Sequence, residues 1–233
     1  MSMNRIRAIL KKQLKDTLKN KSILLQFIMF PVLTVIIANS VVMENLPDNF
    51  FVNLFAVMYI GMAPLTSMST IISEEKECNT LRVLLMSNVK ASEYLLGTGF
   101  YIVALCMIGA LVMGLQGDYS GEELFRFVVL MFTGIVVSTL IGAVVGVGSK
   151  NQMSATSISV PLMIIFSFAP MVAMFNDKIV RISKYLYTQQ ISDMLTDISG
   201  TSTNGENWII IGCNASVALV IFCILYRKKG LDS

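Results

Sequence analysis

The chain has 233 residues, of which 55% are hydrophobic and 14% charged, with a net charge of +3 and a mean hydropathy of +0.69. The charged share falls well below the roughly one quarter of a soluble globular domain, and the apolar residues arrive in blocks of membrane-spanning length, so a soluble fold is excluded. Basic residues flank those blocks rather than forming a patch, which argues against nucleic-acid binding. Histidine is absent, removing the commonest general base and metal ligand. Four cysteines without disulfide or zinc spacing are expected to be free thiols.

Residues 4–20 carry Ile6, Ile9, Leu10, Leu14 and Leu18 at helical spacing, with Arg5, Arg7, Lys11, Lys12, Lys15 and Lys19 between them. This predicts a basic amphipathic helix over residues 1–22, lying in the cytoplasmic interface of the membrane as an anchor or also touching a partner. A first span follows over residues 23–43, with Pro31 inside it. Ala38-Asn39-Ser40 loosely resembles a signal-peptide cleavage site. The run is nevertheless long enough to cross a bilayer, so an uncleaved anchor is expected.

The acidic loop at 44–49 leads to a second span, 50–72, which contains Pro64. A third span covers 94–116, Gly117-Asp118-Tyr119-Ser120-Gly121 forms a tight turn, and a fourth span covers 124–148. In the fourth, Gly134, Ser138, Gly142 and Gly146 recur every four residues. They make a stripe of small side chains that lets another helix approach closely, either within the subunit or across a dimer seam.

Pro161 and Pro170 mark the fifth span, 154–175, as a broken or kinked helix. Apolar and charged residues interleave over 176–206, predicting one or two amphipathic helices on the outer membrane surface before the sixth span, 208–226, and a short tail, 227–233. With this threading, fourteen of the eighteen Lys and Arg fall on the side of the termini. Both termini are therefore expected in the cytoplasm.

The spans carry almost no ionisable residue, with Arg126 near a helix end, so a proton-coupled carrier is disfavoured. Gly146-Val147-Gly148-Ser149-Lys150 lacks the order and spacing of a phosphate-binding loop. An enzyme is not expected, and energy for any transport must come from another subunit.

The most informative stretch is cytoplasmic and runs over residues 73–97. Glu74, Glu75 and Glu77 suit a helix N-terminus, and Leu81, Leu84 and Leu85 make an apolar stripe that a partner or the membrane surface could cover. Glu75-Lys76-Glu77, Thr80 and Leu81, the leucines after them, and the return Glu93-Tyr94-Leu95-Leu96-Gly97 resemble the signature of the type-2 ABC exporter permease family. Asn79 replaces that signature's glycine and Asn88 a common proline, and asparagine tolerates the left-handed turn that glycine would make.

The resemblance extends over essentially the whole chain. It implies an all-α membrane protein of six transmembrane helices, with an N-terminal interfacial helix, a cytoplasmic coupling helix and short extracellular amphipathic helices before the last span. The permease domain would cover 23–226. The resemblance further implies export through a cell-membrane complex with two ABC ATPase subunits, which bind ATP and Mg, and a second permease, either identical or related. Glu74, Glu75, Glu77, Thr80, Leu81, Leu84 and Leu85 would couple to the ATPase. An apolar, Met-rich pathway would suit a hydrophobic or amphipathic cargo such as a peptide or drug. A non-transporting sensor or assembly subunit docking a partner through the same segment is the rival reading.

Overall fold

The computed structural model describes residues 3–40, 47, 49–86, 90–200 and 205–229. Most of the acidic loop at 44–49, Asn88, the run 201–204 and residues 230–233 of the tail lie outside the described residues. Those described form ten helices and no strand: α1 (Met3–Lys19), α2 (Lys21–Ser40), α3 (Phe50–Glu77), α4 (Thr80–Met86), α5 (Ala91–Gly114), α6 (Gly121–Gly148), α7 (Gln152–Ala173), α8 (Asp177–Ser183), α9 (Tyr187–Thr196) and α10 (Gly205–Lys229). Six of these, α2, α3, α5, α6, α7 and α10, are long and apolar enough to cross a membrane, the number expected, and each overlaps one expected span, residues 41–43 of the first lying outside the described residues.

α3 lies at the centre, packed against α2, α5, α6, α7 and α9. Its sequence explains the position, because no charge interrupts it before Glu74 and its small residues admit neighbours closely. A Cβ on Gly61 would stand 2.7 Å from the Ser167 backbone nitrogen of α7, and the Ser167 hydroxyl donates to the Met58 carbonyl at 3.1 Å. On the other flank, Gln26 of α2 accepts from Thr66 at 3.0 Å and Ser67 at 3.2 Å. Such bonds stand in for water in a hydrocarbon setting.

The small-residue stripe of α6 faces this central helix. A Cβ added to Gly134 would meet Ile60, one on Gly142 would meet the Leu65 backbone and Met68, and one on Gly146 would meet Ile72. Ser138, the fourth member, donates to the Ile60 carbonyl at 2.6 Å. That carbonyl is the one Pro64, four residues on, cannot bond, because proline has no N–H. Close packing and repair of a proline-freed acceptor thus come from the same stripe.

Two expectations differ from the fold. α7 is continuous through Pro161 and Pro170, so the helix is not broken there. The segment before the last span is not wholly a surface pair. α8 remains exposed over most of its length, but α9 is inserted among α3, α6, α7 and α10. Tyr187 and Ile191 of α9 are fully buried, with the Tyr187 hydroxyl 2.6 Å from Ser138 Oγ. Two of its polar side chains find partners, Gln190 donating to the Lys184 carbonyl at 2.5 Å and Gln189 to Asp193 at 2.8 Å, while the buried Thr188 hydroxyl and Gln189 amide oxygen have none among the described residues. Internal hydrogen bonds thus meet part of the polar demand that the membrane interface would otherwise have met.

Candidate functional site at the charged end of α3

The acids expected to open a helix instead close one. Glu74, Glu75 and Glu77 occupy the last turn of α3, and the next helix, α4, begins only at Thr80. The helix dipole disfavours carboxylates there, so each requires compensation from elsewhere. Successive residues on a helix point about 100° apart, and the triplet Glu75-Lys76-Glu77 therefore fans out toward three neighbours.

Glu75 turns toward α1. Its Oε1 accepts from Lys12 Nζ at 2.5 Å and from Gln13 Nε2 at 2.7 Å, and the residue is only 7% exposed. Burial alone would lower the Lys12 pKa, but the hydrogen bond and charge of Glu75, with help from Asp16, raise it above its ordinary 10.5. The Gln13 amide also reaches Thr98 of α5 at 3.5 Å, and Tyr94 of α5 is buried against the same carboxylate. One carboxylate thereby holds α1, α3 and α5 together.

Lys76 and Glu77 grip the turn between α6 and α7. Lys76 Nζ donates to the carbonyls of Val147 at 3.0 Å and Ser149 at 2.9 Å, which lie at the C-terminus of α6 where carbonyls lack helical partners. Glu77 Oε2 accepts from the Gln152 backbone N–H at 2.9 Å, the first residue of α7. A cation at a helix C-terminus and an anion at a helix N-terminus both complement the macrodipole. Adjacent residues of α3 thus match adjacent helix ends of opposite polarity.

α4 leaves this hub through a tight turn. Asn79 has φ 55°, the left-handed conformation its side chain tolerates, and Thr80 Oγ1 donates to the Glu75 carbonyl at 3.2 Å. Leu81 is 1% exposed and packs inward, so it is not part of a free face. The outward face belongs to Val83, 62% exposed, and Met86, 79% exposed. Leu84 is half-buried, and the side chain of Leu85 lies outside the described residues.

Sequence reasoning missed Lys12, Gln13 and Gln152 as parts of this site. Among the described side chains of α1, those buried against the bundle are Ile9, Gln13 and Thr17, while Leu14 and Leu18 are exposed. A glutamine and a threonine in register with Ile9 at four-residue intervals were the available signal.

A family model described as ABC-2 family transporter protein matches residues 2–227. The chain belongs to this family. It is therefore a multi-pass transmembrane permease subunit of an ABC transporter, a non-catalytic component that works with an ABC ATPase. No curated protein matches it. In this chain the charged end of α3 makes contacts with α1, α6 and α7.

Proposed function

We propose that this ABC-2 permease is the membrane half of a cell-membrane exporter, driven by ATPase subunits that dock on the segment around α4. The complex contains two permeases, identical or related, and two ATPases, each of which binds ATP and Mg. Both termini face the cytoplasm, as the excess of Lys and Arg at the end carrying α1 and α4 supports.

The fan of Glu75, Lys76 and Glu77 carries this reading. A movement imposed on α4 is delivered through the Asn79 turn to the end of α3, and from there to α1, α5, α6 and α7. Glu75, Glu77, Thr80 and Leu81 act as internal struts of that device, while Val83, Met86 and Leu84 supply the docking surface. Exposed Leu14 and Leu18 of α1 lie in the lipid interface. Gly134, Ser138, Gly142 and Gly146 keep α6 packed on α3 as the helices shift. The apolar spans favour a hydrophobic or amphipathic substrate, with a peptide or drug the best fit.

The test is copurification of the full chain with a candidate ABC ATPase from the same genome, followed by ATPase assays in nanodiscs. Val83→Asp together with Met86→Asp removes copurification while the permease alone keeps its elution volume and helicity. Undiminished ATPase binding by that variant places the docking surface elsewhere. Binding without ATP-dependent transport of any amphipathic peptide or drug tried favours a sensor.

A further inference from the structure

At the end of the bundle opposite α4, a cavity of about 350 Å³ opens between the first turns of α6, the end of α9 and the start of α10. Phe125, Val129, Met194 and Trp208 form apolar walls, and Asp193 and Asp197 bring two carboxylates to the same space. The volume is that of a small-molecule site.

The charges at this cavity are unbalanced. Arg126 also lines it, but its guanidinium is engaged: it donates to the carbonyls of Ile198 at 3.1 Å and Gly200 at 2.9 Å, and pairs with Glu122 at 2.7 Å. Neither Asp193 nor Asp197 takes part in an ion pair among the described residues. Among the described residues Asp193 accepts only the neutral Gln189 amide at 2.8 Å, and its partial burial holds the carboxyl above its ordinary value despite that bond. An anion would find the arginine occupied. A bare metal ion would find too few oxygen ligands among these walls, and a lipid tail would leave two carboxylates desolvated and unpaired.

What complements two carboxylates, an indole face and apolar walls is a cation carrying its own apolar surface. We propose that this cavity binds an organic cation with an apolar body, the carboxylates taking the charge and Trp208 and Phe125 taking the hydrophobic part. On the orientation proposed above, the site faces the outer leaflet. A bound ligand there would also touch α9, whose Tyr187 reaches Ser138 in the centre of the bundle.

Trp208 is the single tryptophan of the chain, so its fluorescence reports on the site without labelling. The purified full-length permease in detergent is titrated with tetraphenylphosphonium and, separately, with tetraphenylborate, which has the same shape and the opposite charge. The expected result is a saturable change in Trp208 emission with the phosphonium and only unsaturable partitioning with the borate. Asp193→Asn with Asp197→Asn raises the half-saturation concentration at least tenfold at unchanged elution volume. In the unmutated protein, the phosphonium should also protect Asp193 and Asp197 from carbodiimide labelling read by mass spectrometry. Equal responses to the two ions, wild-type affinity in the double variant, or no protection overturns the proposal. No ATPase is present in these assays, so they succeed or fail independently of the exporter reading.

Discussion

Ser138 supplies the hydrogen bond that Pro64 removes. Its hydroxyl donates at 2.6 Å to the Ile60 carbonyl, one turn before Pro64 on a helix that has no N–H to offer there. Ser138→Ala leaves that carbonyl without a partner and deprives the buried Tyr187 hydroxyl of its own, at an expected cost of about 2 kcal/mol. Pro64→Ala restores a backbone N–H to Ile60. In that background the cost of Ser138→Ala should fall by about half, leaving only the Tyr187 part. Thermal unfolding of the four proteins by fluorescence-detected size exclusion measures the cycle, and equal costs in both backgrounds would separate the serine from the proline.

The Lys12–Glu75 pair makes a second cycle. Lys12→Met keeps the length of the side chain but leaves a nearly buried carboxylate with Gln13 alone. Because Lys12 retains 31% side-chain exposure, the expected loss is about 2 kcal/mol, below that of a fully buried pair. Lys12→Met combined with Glu75→Gln should recover most of it, since a neutral amide needs no counter-charge. The pH dependence follows from the raised Lys12 pKa. A lysine held above its unfolded value stabilises the fold fully below 10.5 and loses that contribution as pH rises through the folded value. The pair should therefore contribute a constant amount from pH 6 to 9 and weaken only in stronger alkali. A cycle that closes to zero at pH 7 would overturn it.

The six spans were legible because hydropathy over some twenty residues is a strong signal, and Glu75-Lys76-Glu77 was legible as a cluster. Its directions were not: which neighbour each charge meets depends on where α1 and the α6–α7 turn come to rest, and no local pattern encodes that. α1 shows the same limit. Its leucines define an obvious apolar face, yet Leu14 and Leu18 are exposed and Gln13 is buried, because Glu75 requires donors more than the bundle requires another leucine. α9 was misplaced for a related reason. An amphipathic period reports two unlike surroundings, and membrane against water gives the same period as protein core against a wet rim.

The α6 stripe predicts a rank order. A methyl on Gly142 would collide with the Leu65 backbone, whereas on Gly134 it meets side-chain carbons of Ile60 and the tip of Ile191, which yield at lower cost than a helix backbone. Gly142→Ala should cost about 3 kcal/mol and Gly134→Ala about 1 kcal/mol, the two ends of the usual overpacking range. Gly212→Ala, where a Cβ finds nothing within 4 Å, serves as the control and should not lower stability. If all three melt alike, the stripe is not the packing face described.

Lys76 separates docking from transmission. It lies inward of α4, and its ammonium joins α3 to the Val147 and Ser149 carbonyls at the end of α6. Lys76→Met removes those bonds without touching Val83 or Met86, the exposed side chains of α4. If α4 receives the ATPase and the end of α3 relays its motion, this variant should copurify with the ATPase at wild-type yield. Its transport turnover should nevertheless fall by about tenfold, while ATP hydrolysis becomes insensitive to substrate. Lys76→Arg keeps a cation at the same helix terminus and should restore much of the coupling, which distinguishes the dipole contact from simple bulk. The alternative is that α3 only supports α4. In that case Lys76→Met lowers thermal stability and ATPase binding together, and the arginine variant rescues both in parallel.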